Sequence, residues 1–196
     1  LNDYPKVLEN CDKAIAFFKS KPYEARGPLQ IFYYQRLVCN IQLRQFEAGK
    51  EFAQYCMELM EEGGFNWFKY MELYFQLSMH TGRYEEGARI LHSTLKNSRF
   101  EFLPDNAKEI WRIYESYVYY LGLLDKVKLP SGYVFKLAKF VNETPIFSKD
   151  KSGLNISIIV IRFLILLQER KYEKVLDDLK TIDGSPYRHL RGKNTR

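Results

Sequence analysis

GRYEEGARILHSTL, residues 82–95, is a short polar corner followed by an amphipathic pattern. Gly82 permits a sharp bend and Tyr84 follows two residues later. Ala88, Leu91 and Leu95 then recur at three- and four-residue intervals, the spacing that lines one face of an α-helix. The phrase returns as DYPKVLENCDKAIAFF from Asp3, RQFEAGKEFAQYCMELM from Arg44 and RKYEKVLDDL from Arg170. From Arg44 onward each corner follows a longer, aromatic-rich segment. A recurring helix–corner–helix unit predicts an all-α fold, an α–α superhelix of antiparallel hairpins stacked as a solenoid.

Outward from these corners, the pattern predicts a helix from Tyr4 to about Ser20, the second half of a hairpin whose first half is absent. Lys21-Pro22 and Gly27-Pro28 bound a link to a long helix from Pro28 to Leu43. A helix from Phe46 ends at Gly63-Gly64, and Asn66 is placed to cap the next, Trp67–His80. Further helices are expected from Tyr84 to Asn97 and from Asp105 to Leu121, where Gly122 marks a corner. Residues 143–153 read as a polar loop. Two last helices follow, from about Leu154 to Glu169 and from Tyr172 to Ile182. The expectation is one solenoid over residues 1–196, with four to five helix pairs, incomplete at both ends and cut from a longer protein.

Composition narrows the function classes. Of 196 residues, 46% are hydrophobic and 16% aromatic, as expected of a folded chain whose aromatics fill the gaps between helices. The net charge is +6, but Arg188, Arg191, Lys193 and Arg196 supply four of those charges at the very end. The remainder mixes both signs, without the basic stripe that nucleic-acid binding requires. The three cysteines, Cys11, Cys39 and Cys56, lie in helical patterns beside apolar residues, as buried free thiols do. The longest apolar run, Ile156–Leu167, is interrupted by Arg162 and falls short of the roughly 20 residues a bilayer span needs. No transmembrane segment is therefore expected, and a cytoplasmic location is.

These corners resemble those of the tetratricopeptide repeat family. Trp111 matches its early aromatic, and Gly82 and Gly122 its corner glycine, with Arg44 and Arg170 as departures. Tyr4, Phe46, Tyr84 and Tyr172 match the corner aromatic, with Leu124 in that place in the fourth unit. Gly49 and Gly87 match the small residue where paired helices cross. The corner aromatics are spaced 38 to 48 residues apart, longer than the family's 34. The stretch NISIIVIRFLILLQERKYEKVLDDL is also similar to bacterial repeat proteins of the Bacteroidetes.

The resemblance implies that ligands lie against an inner face made by the first helix of each pair. Matching positions are Ile31, Tyr34 and Val38; then Lys69, Glu72 and Gln76; then Glu109, Arg112 and Ser116. Such a face is apolar at one end and charged at the other. It suits a peptide or protein partner, with Tyr34 as anchor and Lys69 or Arg112 pairing with a carboxylate. Glu72 and Glu109 depart from the family's carboxylate-binding arrangement. Self-association is a further use of such a scaffold.

No catalytic pattern stands out. His80, His92 and His189 have no metal-ligand spacing, and neither HExxH, CxxC, a P-loop nor a dinucleotide fingerprint occurs. The expectation is therefore a non-enzymatic helical-repeat scaffold without cofactor, metal or catalytic residues. Two alternatives stand beside it: a nucleic-acid-binding helical repeat, and an enzyme whose site is assembled from residues distant in sequence.

Overall fold

The computed structural model describes residues 3–133, 135–138, 140 and 154–184. Among them there are eight α-helices, one 3₁₀ turn and no strand. They are α1 (Tyr4–Lys19), α2 (Arg26–Gln42), α3 (Phe46–Leu59), α4 (Phe65–His80), α5 (Tyr84–Lys96), the 3₁₀ turn Phe100–Phe102, α6 (Asp105–Leu123), α7 (Leu154–Gln168) and α8 (Tyr172–Gly184). The expected polar loop at 143–153 and the basic end at 188–196 lie outside the described residues. The chain forms two compact units, Leu1–Tyr114 and Glu115–Arg196. The first unit is formally neutral, with 15 basic and 15 acidic residues. The whole +6 therefore belongs to the second.

The corners share one hydrogen-bonded design. In each, a residue in the left-handed conformation ends one helix and two crossed backbone bonds seal it. At the α2–α3 corner Arg44 has φ 58°. Its N–H donates to the Ile41 carbonyl at 3.0 Å, and the Gln45 N–H donates to Asn40 at 2.8 Å. Gly82 (φ 70°) repeats this with Met79 and, through Arg83, with Ser78. Arg170 (φ 58°) repeats it with Leu167 and, through Lys171, with Leu166. The motif is local, so it forms wherever the helix must stop and reverse.

The fourth corner corrects the sequence reading. The left-handed residue is Asp125 (φ 56°), whose N–H donates to Gly122 while the Lys126 N–H donates to Leu121. Gly122 is therefore inside α6, three residues before the corner. Val127, buried, takes the place expected of Leu124. Gly122 has a different reason to be glycine. The Leu129 side chain lies where a Cβ would stand, so any larger residue would collide with it.

Helix starts differ from expectation by a residue or two for physical reasons. Asp3 caps α1 by accepting the Lys6 N–H at 3.2 Å. α2 begins at Arg26, so Gly27 and Pro28 fall in its first turn, where the missing proline N–H costs nothing. α4 begins at Phe65 after the extended Gly64, and Asn66 lies inside the first turn rather than at the cap.

In the first unit each helix from α1 to α4 packs on the next, α2 also packs on α4, and α5 packs on the 3₁₀ turn. Sequential packing with an added α2–α4 contact is consistent with a helical-repeat arrangement. Gly49 of α3 sits where a Cβ would touch Leu77 of α4 at 3.2 Å and Leu37 of α2 at 3.6 Å. Gly87 of α5 is covered by the methyl end of Met79. Both small residues thus occupy helix crossings. Trp111 of α6 is buried and meets Phe75 of α4 edge-on, with ring centres 6.2 Å apart. In the second unit α7 packs on α8. Ile161, Ile165 and Leu166 face the core, and Arg162 pairs with Asp178 at 2.6 Å across the two helices.

Candidate interaction surface

The first helices α2 and α4 carry two of the three expected residue sets, and the start of α6 carries part of the third. Corner-to-corner correspondence puts Ile31, Tyr34 and Val38 of α2 in register with Lys69, Glu72 and Gln76 of α4. Ile31 is 60% exposed, and the other five are half-buried. Intermediate exposure at every polar position describes a wall that is neither core nor fully solvated.

Polar contacts run along and across these helices. Lys69 Nζ lies 3.1 Å from Glu72 Oε2, one helical turn away. The Tyr34 phenol is pushed above its usual range, first by burial and then by the Glu72 charge, so these side chains of α2 and α4 share one environment. Gln76 Nε2 donates to the Tyr114 hydroxyl at 2.8 Å, tying α4 to α6. The Tyr114 ring stacks on Phe75 with centres 4.3 Å apart. The sequence places Tyr114 on the same stripe as Trp111, which marks it as core. Its hydroxyl at the edge of the wall emerges only in three dimensions.

The third set is only partly on this surface. Glu109 and Ser116 are buried, Ser116 completely. Burial also raises the Glu109 carboxyl, opposed by the nearby Arg112 charge. The register of α6 also differs from the expected one. With the corner at Asp125, the residues in register with Lys69, Glu72 and Gln76 are Arg112, Glu115 and Tyr119. A displacement of three residues is a net turn of only about 60° with a shift of about 4.5 Å along the axis, and Glu109 and Ser116 are buried where it leaves them. Arg112 stays half-buried. In the second unit Glu115 accepts the Tyr133 hydroxyl at 2.7 Å, and Tyr119 donates to Glu169 at 3.1 Å.

The remaining polar clusters tie helix to helix. The Tyr74 hydroxyl donates to Glu86 Oε1 at 2.6 Å, and Arg83 Nε meets the other oxygen of that carboxylate at 2.8 Å. Burial, then this hydrogen bond, pushes the Tyr74 phenol to about 12. The Tyr70 hydroxyl donates to the Ala53 carbonyl, linking α4 to α3. Arg36 pairs with Asp12 and lies over the Phe52 ring, 4.2 Å from its centre. Lys19 stands 5.2 Å above Tyr55 and 5.7 Å from the Tyr33 ring. Each cation over a ring gains from the aromatic quadrupole while pinning one helix to another.

His80, His92 and the three cysteines lie among the described residues. The His80 ring lies flat on Phe46, centres 4.4 Å apart. Cys11, Cys39 and Cys56 are buried free thiols, and burial pushes Cys56 to about 12, far from a reactive thiolate. Among the described residues no group of three or more His, Cys, Asp or Glu is placed to hold a metal ion. No described helix is long and apolar enough to cross a membrane. No family model, no curated protein and no solved structure matches this chain.

Proposed function

We infer that the chain is a non-enzymatic helical-repeat scaffold, of the tetratricopeptide-like kind, that binds an extended peptide or a protein surface along α2 and α4. The single observation that carries this reading is the shared wall on these first helices. Exposed Ile31 stands in register with a row of half-buried side chains, Tyr34, Lys69, Glu72 and Gln76. Side chains held in place by neighbours lose little further entropy on binding, and a tyrosine at such a site anchors well. Lys69 and Arg112 supply charge for a carboxylate on the partner, with Glu72 setting its register by repulsion.

The test is a selection of peptides from a displayed library on the intact chain, followed by calorimetry. The variant carrying Tyr34→Ala, Lys69→Glu and Arg112→Glu should bind the selected peptides at least about tenfold more weakly, since even one lost anchor costs more than 1 kcal/mol. Its helical circular dichroism should match the parent. Equal affinity in a folded triple variant would remove the wall from consideration.

A further inference from the structure

α1 and α2 pack along a register that two contacts fix. The Phe18 and Phe32 rings stack with centres 5.9 Å apart, and Arg36 pairs with Asp12. Residue numbers fall on α1 as they rise on α2, so the helices run antiparallel. Cys11 stands seven residues before Phe18, and Cys39 stands seven after Phe32. Seven residues is close to two full turns, so the step that leaves one facing pair arrives at the next, and Cys11 faces Cys39. Both are almost wholly covered, at 3% and 2% exposure. Helices packed about 8–10 Å apart, with Cα atoms about 2.3 Å from each axis, bring facing Cα atoms to roughly 3.5–5.5 Å. That range overlaps the roughly 4.4–6.8 Å that a disulfide spans between Cα atoms.

Charge singles out the same pair. Burial, then the Cys39 charge, raises the Cys11 thiol, and burial raises that of Cys39. Arg36 opposes the rise at both. It lies one turn from Cys39 on α2 and pairs with Asp12, the neighbour of Cys11. Cys56 has burial alone and rises to about 12. A fixed cation favours the thiolate, the form that attacks a disulfide. α1 packs chiefly on α2, so a local opening of this one helix uncovers both thiols together.

We propose that Cys11 and Cys39 are a redox pair, which a small disulfide such as oxidised glutathione converts into a reversible cross-link between α1 and α2. One protein thiolate attacks a glutathione sulfur, and the glutathione S–S bond breaks to release one glutathione thiolate. The second protein thiolate then attacks the protein sulfur of the mixed disulfide and expels the other glutathione. Two protein thiols lose two electrons, one glutathione disulfide gains them, and the two thiol protons end on the two glutathiones. The link closes the loop 11–39, restricts the unfolded chain and holds α1 on α2. It stands apart from the peptide-binding wall, which includes neither cysteine.

The test incubates the intact chain with oxidised glutathione, both in buffer and in urea below the unfolding midpoint, followed by alkylation and digestion without reductant. Mass spectrometry should find Cys11 and Cys39 joined in one linked peptide, Cys56 alkylated, and the link gone after dithiothreitol. The linked chain should melt at least about 5 °C above the reduced one. Cys56→Ser should form the link like the parent. Cys11→Ser and Cys39→Ser should each lose both the link and the shift, while circular dichroism of their reduced forms matches the parent. Three alkylated thiols under both conditions, glutathione adducts that never resolve to the link, a link that uses Cys56, or a link between two chains would each overturn the proposal.

Discussion

The α4–α5 and α7–α8 hairpins are built on one plan and sit in different surroundings. Both turn through a left-handed residue sealed by the same pair of backbone bonds, and both place an aromatic two residues later, Tyr84 and Tyr172. In α4–α5 the apolar positions meet α2, α3 and α6, and Trp67, Phe68, Met71, Phe75 and Leu77 are core. In α7–α8 six residues of the same character stand about half in water. Local sequence sets the hairpin, whereas the neighbours set whether its apolar positions stabilise the fold. A stacked repeat cannot bury its own two faces, so burial is always a property of the stack.

That contrast breaks most sharply at its apolar positions. Phe75→Ala removes a buried ring packed on Trp111 and Tyr114 and should cost about 3–5 kcal/mol in urea denaturation. Leu179→Ala, on the exposed stripe of α8, should cost under about 1 kcal/mol. Comparable losses at both sites would erase the distinction between the hairpins.

The first unit should also be alkali-sensitive at its α3–α4–α5 junction. Burial holds the Cys56 thiol at about 12 against an ordinary 9.0, and the Tyr74 phenol at about 12 against 10.0. Both groups keep their protons longer in the folded chain than in the unfolded one. Their contribution is therefore whole below the unfolded values and is lost as pH climbs from about 9 toward 12. Stability from denaturant titrations should fall over that range by at most about 1.4 kcal/mol per pH unit for each group. Cys56→Ala should flatten the slope from pH 9, and Tyr74→Phe should flatten it only from pH 10. A slope unchanged in both variants would mean that burial at this junction does not govern the titration.

The smallest effect concerns what the hairpins share. Arg44 and Arg170 adopt a conformation that glycine enters freely and other residues enter at some cost. Arg44→Gly and Arg170→Gly should each stabilise by about 0.5–1 kcal/mol, and Gly82→Ala should destabilise by a similar amount. Thermal melts of the three variants check whether the corners are interchangeable. Opposite signs at Arg44 and Arg170 would show that they are not.

Three of these four corners were legible in the sequence because the motif is sealed within six residues. The aromatic two positions on makes Arg44, Gly82 and Arg170 recognisable even where glycine is absent. At the fourth, Gly122 was a more obvious turn signal than Asp125. Its actual cause, the Leu129 side chain against its Cα, follows from a packing contact that spacing does not reveal. This displacement of three residues carried into the interaction surface. Ile31, Tyr34 and Val38 stand at the same distances from their corner as Lys69, Glu72 and Gln76 from theirs, while Glu109 and Ser116 are buried. Tyr114 belongs to the wall through its hydroxyl and to the core through its ring, and periodicity reports only the ring.

The sequence by itself determined the helices, their reversals and the alternation of long and short partners. These follow from the 3.6-residue period and from hydrogen bonds between residues at most six apart. Only the tertiary structure decided which apolar stripes are core, which carboxylates are buried, and which glycine is a turn and which a contact. Those outcomes depend on what another helix places against each side chain, and van der Waals contact between distant segments leaves no period in the chain.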